Sequence, residues 1–252
     1  VSLEEFVTDC ATTHVVALSG GKDSTALALK LAEVEPRPYV YLITPTGDEL
    51  PEMVEHWASL ERRLGQPMLR ITNRTLADWI DEYSALPNWR QRWCTRLLKI
   101  EPCLAFLAKS APAVLYVGLR ADEEERKGIY SETVTCRFPL REWGWGLGDV
   151  RGYLREQGVK IPRRTDCARC YGQRLSEWWN LLHMHPELYA SAEADEARTG
   201  HTYRSPSRDT WPAGLKELRE AFSTRHPPRG ATLQRSLFDD DDEPAACRVC
   251  KL

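Results

Sequence analysis

The chain has 252 residues, 42% of them hydrophobic and 28% charged, enough for one sizeable α/β domain and a smaller C-terminal element. No apolar run approaches the ~20 residues that span a bilayer. Val1 to Cys10 carries acids and no apolar stretch, which argues against a secretory leader and for a cytoplasmic protein. The formal net charge is −3, but Asp239 to Asp242 and Glu243 form an acidic run, and without it the balance turns positive.

In chain order, His14 to Leu18 is a short apolar, β-branched run and reads as a buried strand. The loop Ser19 to Lys22 follows, then a helix over Asp23 to Glu33. Tyr39 to Ile43 is a second strand. Thr44 to Leu50 is a loop, and Pro51 suits the first position of a helix running to Leu64. Met68 to Ile71 is a third strand, followed by helical patterns over Leu76 to Tyr83 and Thr95 to Lys109. Ala113 to Val117 is a fourth strand, and Gly118 to Ile129 a charged loop. Strands alternating with helices predict an α/β fold, a mostly parallel, doubly wound sheet with helices on both faces. Ligands of such sheets sit beyond the carboxyl ends of the strands.

After Asp149 strand signals end. Leu147 to Glu156, Leu175 to His183, Pro186 to Thr199 and Trp211 to Ala221 read as helices, with Gly200 closing the third. The expected organisation is a nucleotide-binding domain over residues 1–150, a helical cysteine-containing extension over 151–222, and a flexible acidic tail over 223–252 that ends in Cys-x-x-Cys.

Ser19-Gly20-Gly21-Lys22-Asp23-Ser24 stands between the first strand and the first helix. A helix N-terminus offers unpaired backbone N–H groups and a partial positive charge. Gly20 and Gly21 let backbone approach an anion closely, Lys22 adds an ammonium, and Ser19 and Ser24 add hydroxyls. The spacing is not that of the Walker loop, which has four residues between Gly and Gly-Lys.

With that signature, Ser-Gly-Gly-x-Asp-Ser, the chain resembles the PP-loop superfamily. Further segments are similar to its phosphoadenosine phosphosulfate and adenosine phosphosulfate reductase family. These are Thr46-Gly47-Asp48-Glu49-Leu50-Pro51-Glu52, Trp93-Cys94-Thr95-Arg96-Leu97-Leu98-Lys99-Ile100-Glu101-Pro102, Gly118-Leu119-Arg120 with Arg126, and Pro139-Leu140 with Trp143. The resemblance spans roughly residues 12 to 185. It implies a Rossmann-like fold and an adenine nucleotide, ATP or adenylyl sulfate, on Ser19 to Ser24 and on Thr46, Gly47 and Asp48. It also implies Lys22, Arg120 and Arg126 at the substrate's anionic end. Trp93 replaces the first cysteine of the iron–sulfur reductases' paired motif, and the reductases' tail motif Glu-Cys-Gly-Leu-His is absent.

The chain has eight cysteines. Without a secretory leader they point to metal binding or catalysis rather than disulfides. Cys94, Cys167 and Cys170 have the spacing of the family's cluster ligands, implying a [4Fe–4S] cluster; structural zinc is the alternative. Cys250 or Cys136 is the fourth-ligand candidate. Cys247 is the candidate nucleophile, beside Arg248 and Lys251, which favour a thiolate. Cys10 and Cys103 read as buried thiols.

Weaker signals complete the reading. Asn88 to Ile100 holds Arg90, Arg92, Arg96 and Lys99 with Trp89 and Trp93 and no acid, which suits a nucleic acid or a solvated helix face. Glu123, Glu124 and Glu125 read as a solvated run or as a Mg²⁺ contact beside phosphates. His183 and His185 are packing or ligand candidates. Three functions are carried forward. The first is thiol-dependent reduction of an adenylyl sulfate, with a thiol reductant. The second is ATP-dependent adenylation of a nucleic-acid or small-molecule acceptor, with a sulfur donor protein. The third is a non-catalytic nucleotide sensor.

Overall fold

The computed structural model describes residues 12–123, 134–160 and 167–231. Five strands form one all-parallel sheet: β1 (Thr13–Ala17), β2 (Tyr39–Ile43), β3 (Leu69–Arg70), β4 (Ala113–Tyr116) and β5 (Thr135–Arg137), in the order β3-β2-β1-β4-β5. The expected α/β class holds. β5 was not legible: three residues, Thr-Cys-Arg, are too few to show a two-residue alternation.

Side chains alternate across the sheet as the pleat requires. Val15, Val40, Leu42 and Leu115 point to one side, where α5 (Glu101–Lys109) supplies Cys103, Phe106 and Leu107. Val16, Tyr39, Tyr41, Ile43 and Tyr116 point to the other side. There α1 (Lys22–Val34), α2 (Pro51–Leu64) and α7 (Leu147–Glu156) cover them. Helices on both faces explain why β2 is buried along its whole length.

The expected helix over Thr95 to Lys109 is interrupted. α4 (Trp93–Thr95) leads into a π-helical segment, Arg96–Ile100, before α5. Pro102 lies in the first turn of α5. It has no N–H, and its ring would crowd the carbonyl four residues back. The turn before it widens, and the Glu101 N–H reaches the Arg96 carbonyl instead.

A third core lies among α3 (Leu76–Tyr83), α8 (Leu175–Met184), α9 (Pro186–Thr199) and α10 (Leu215–Thr224), with α6 (Pro139–Glu142) elsewhere in the chain. It joins Trp178, Tyr189, Tyr203 and Leu218 from the extension to Leu50, Leu76, Ile80, Leu86 and Trp93 from the sheet-forming half. α10 starts four residues later than the pattern suggested, because Pro212 and Gly214 hold the preceding chain out of a helix. No helix among the described residues is long and apolar enough to cross a membrane.

Candidate functional site

The strand order reverses between β1 and β4, whose following loops are Ser19–Gly21 and Gly118–Glu123. In an open parallel sheet that is where a ligand fits, because neighbouring crossovers leave the sheet on opposite faces and open a crevice.

The loop after β1 is built for close approach to an anion. Gly20 has φ +86°, and a Cβ there would come within 2.5 Å of Trp57 Nε1 and 2.8 Å of its Cδ1. That indole donates to the Ser19 carbonyl at 3.0 Å, so α2 fixes the loop from behind. Ser19 Oγ and Ser24 Oγ are 3.0 Å apart, and Ser24 Oγ donates to the Gly21 carbonyl. α1 begins at Lys22 with no side-chain cap, which leaves its first N–H groups to a ligand. Lys22 is buried, with Nζ 3.4 Å from Asp23 Oδ2.

His56 lies on the α2 face that carries Trp57. Burial pushes its imidazole down to about 4, against an opposing hydrogen bond to the Gly20 backbone. Nε2 is buried without a partner among the described residues, consistent with a neutral ring.

From the loop after β4, Arg120 reaches the same helix end. Its Nη1 lies 3.1 and 3.0 Å from the two Asp23 oxygens, and its Nε donates to Asp122 Oδ1 at 2.8 Å. Burial opposes its charge most strongly of any single effect, but the carboxylates of Asp23, Asp122 and Glu123 together outweigh it and hold the guanidinium's pKa above its ordinary value. A Cβ on Gly118 would meet Asp23 C and Ser24 N at 3.0 Å, so this position brings the two loops together. Glu123 turns back on its own loop, its carboxylate accepting from the Arg120 backbone N–H. Arg126, Glu124 and Glu125 lie outside the described residues.

The loop after β2 faces the extension. Thr46 N and Gly47 N donate to the Glu49 carboxylate at 2.6 and 3.1 Å. Asp48, a nucleotide-contact candidate, is buried, and its carboxylate takes Arg169: Oδ1 accepts from Nε at 2.6 Å and Oδ2 from the Arg169 backbone N–H at 2.7 Å. Arg169 Nη1 also donates to Asp195 at 2.7 Å. His185 Nε2 meets Glu52 Oε1 at 2.9 Å. His183 stacks on Trp179 with ring centres 4.0 Å apart and bonds that residue's carbonyl, a packing role.

Cys94, Cys167 and Cys170 all belong to the third core. Burial pushes the Tyr171 phenol well above its usual range, and the neighbouring Cys94 and Cys170 add to the shift. Cys167 Sγ lies 3.2 Å from Thr46 Oγ1, and Glu49 and Cys167 form an isolated antiparallel bridge. The donor set of soft thiols suits iron–sulfur or zinc. Among the described residues, no three Cys, His, Asp or Glu side chains are placed to hold one ion. Cys136 packs beside Cys103 in the α5-side core, apart from these three, so it is not placed as their fourth partner. Burial raises the Cys103 thiol to about 11, as an inert core cysteine requires. Cys10, Cys247 and Cys250 lie outside the described residues.

Sequence reasoning missed Trp57, His56, Arg169 and Asp195. The first two share the Met53/His56/Trp57/Leu60 stripe of α2, which reads as ordinary core. Arg169 had one signal, its place between two cysteines.

A parallel sheet with a glycine-strained loop at its switch point defines an open α/β protein. The phosphoadenosine phosphosulfate reductase domain model matches residues 13–163, and the chain belongs to that family. It is 27% identical over 197 residues to the uncharacterized protein MJ0066 of Methanocaldococcus jannaschii, covering 71% of this chain and 40% of that protein, so it spans about two-fifths of its relative's length. Among solved structures it is similar to the phosphoadenylyl-sulfate reductase of Candida auris in its phosphate complex (12% identity, 63% of this chain, 79% of the other, TM-score 0.48). It is also similar to the U34-tRNA thiolase NcsA of Methanococcus maripaludis with its [4Fe–4S] cluster (15%, 84%, 80%, 0.44).

Proposed function

We propose that this protein binds the phosphates of an adenine nucleotide on Ser19–Ser24 and reduces an adenylyl sulfate with a thiol. The observation that carries this is the loop itself. Gly20 pressed on Trp57 and the uncapped start of α1 favour bound phosphate and do little for a turn of no function. Membership of the reductase family supports the sulfur chemistry.

In this reading the Cys247 thiolate attacks the sulfur of the sulfate. A sulfur–sulfur bond forms, the bond from sulfur to the phosphate oxygen breaks, and the nucleotide leaves with that electron pair. Lys22, Arg120 and Arg126 balance the charge that builds on the leaving phosphate. A second thiol, from a reductant, then attacks Cys247, releases sulfite and leaves a disulfide. A [4Fe–4S] cluster, or zinc, held by Cys94, Cys167, Cys170 and Cys250 would cross-link α4 to the cysteine turn and fix both at the sheet's carboxyl edge.

One observation favours a second reading. Arg120 is already balanced by Asp23 and Asp122. A pyrophosphate seated on Lys22 and the start of α1, with Mg²⁺, needs no further arginine, as in ATP-dependent adenylation of an acceptor followed by sulfur transfer. Product analysis separates the two. Sulfite released from an adenylyl sulfate with a dithiol supports reduction; AMP and pyrophosphate from ATP support adenylation. Tight binding with neither product means a sensor. Lys22→Ala should weaken binding of the active nucleotide about 10- to 100-fold, the loss of one charge-assisted bond of ~1.5–3 kcal/mol. Unchanged calorimetric affinity would remove the loop from the site.

A further inference from the structure

We propose that His56 and Trp57 are positioning residues of the loop after β1: from α2 they hold two successive carbonyls, so that the N–H groups of Gly20 and Gly21 face one phosphate. The proposal rests on the nucleotide reading above and concerns residues outside the glycine motif.

In a trans peptide the C=O and the following N–H point in opposite directions. Whatever holds a carbonyl therefore also aims the next N–H. Trp57 Nε1 donates to the Ser19 carbonyl at 3.0 Å, which turns the Gly20 N–H away from α2. That N–H has no acceptor among the described residues. His56, one position earlier on α2, bonds the Gly20 backbone, and the bond raises the imidazole's pKa. A bond has that sign when the ring donates it, so its acceptor is the Gly20 carbonyl. The Gly21 N–H is turned away from α2 in its turn and lies 3.3 Å from Ser19 Oγ. Successive backbone N–H groups turned the same way make a concave anion site.

His56 is 7% exposed, and its Nε2 has no partner among the described residues, which leaves Nδ1 as the donating nitrogen. Packing alone would be served better by leucine, which buries no unsatisfied nitrogen. What the imidazole adds is the one N–H aimed at the loop. The loop's hydroxyls are arranged to give way in front of it. Ser24 Oγ donates to the Gly21 carbonyl at 3.1 Å, and a hydroxyl has one proton to give. Ser19 Oγ therefore donates to Ser24 Oγ at 3.0 Å and receives the Gly21 N–H. A phosphate oxygen, a stronger acceptor than a hydroxyl, takes the Gly21 N–H and the Ser19 proton, while both carbonyls stay on α2.

The test is calorimetric titration of the full chain with inorganic phosphate, ATP and adenylyl sulfate, beside backbone amide NMR spectra. His56→Leu and Trp57→Phe should each lower affinity about 5- to 10-fold, the loss of one neutral hydrogen bond behind the loop. His56→Asn places an amide N–H close to where Nδ1 stands and should restore the affinity. In the wild type and in His56→Asn, phosphate should move the Gly20 and Gly21 amide signals downfield; in His56→Leu the Gly21 shift should shrink. A folded His56→Leu chain with wild-type affinity, or equal losses in the leucine and asparagine variants, would overturn the proposal. So would Gly20 and Gly21 amides unmoved by a phosphate that binds. Should His56→Leu fail to fold, Trp57→Phe decides, and wild-type affinity there overturns the proposal. Absence of binding by phosphate and by both nucleotides would instead overturn the functional reading.

Discussion

Gly20 and His56 show how single residues set the loop after β1. At φ +86° with Trp57 against its α-carbon, Gly20 admits no side chain without displacing the indole that bonds Ser19. Gly20→Ala should cost about 1–3 kcal/mol in denaturant unfolding and abolish nucleotide binding. Gly65→Ala, at φ +70° with open space around it, should lower stability by about 1 kcal/mol or less and leave binding intact. His56 makes a pH prediction. Its folded value, about 4, lies below the ordinary 6.5, so the unfolded chain binds the extra proton between those values. Stability from this group is fully present above pH 6.5 and is lost as pH falls towards 4, on the order of 3 kcal/mol. Glu196 slopes the other way, since burial raises its carboxyl to about 7. The His56→Gln difference curve isolates the histidine; a difference independent of pH would contradict its burial as a neutral ring.

At the scale of elements, the cysteine turn and the α8–α9 pair are joined to the loop after β2 by charge as well as by packing. Arg169→Met would leave the buried Asp48 without its cation and Asp195 with only Arg198 and the Tyr203 hydroxyl, a change of the kind that typically costs about 3–5 kcal/mol. Hydrogen exchange should show the loss concentrated in the cysteine turn, α8 and α9, with β1 and β2 protected as before. Uniform loss across the sheet would mean that the extension unfolds only with the whole. The π-helical segment works at the same scale. By widening at Arg96–Ile100 it accommodates Pro102 while keeping Cys94 and Trp93 in the third core.

For the whole molecule, the open question with a sharp readout is the metal. Protein isolated without oxygen or chelator should hold iron and sulfide, or about one zinc per chain. Serine at Cys94, Cys167 or Cys170 should release it, while serine at Cys103, buried in the α5-side core, should not. Deleting residues 239–252 should lower retention if Cys250 is a ligand. A wild-type chain carrying neither iron nor zinc would reduce the three cysteines to packing and thiol roles.

The sequence alone determined what depends on neighbours along the chain. Pro51 and the stripe behind it specify α2 to its last residue, and Gly200 ends α9, because caps and periodicities are local. The glycine loop between β1 and α1 was legible for the same reason: strand, glycines and helix start are contiguous. Asp48 was not. Next to Gly47 it reads as a nucleotide contact, and nothing local shows that its carboxylate bonds Arg169, 121 positions away. Arg120 likewise has a partner no local pattern shows, Asp23, 97 positions earlier. A charged side chain goes to whichever partner best offsets its lost hydration, and only the tertiary fold decides which partner is within reach.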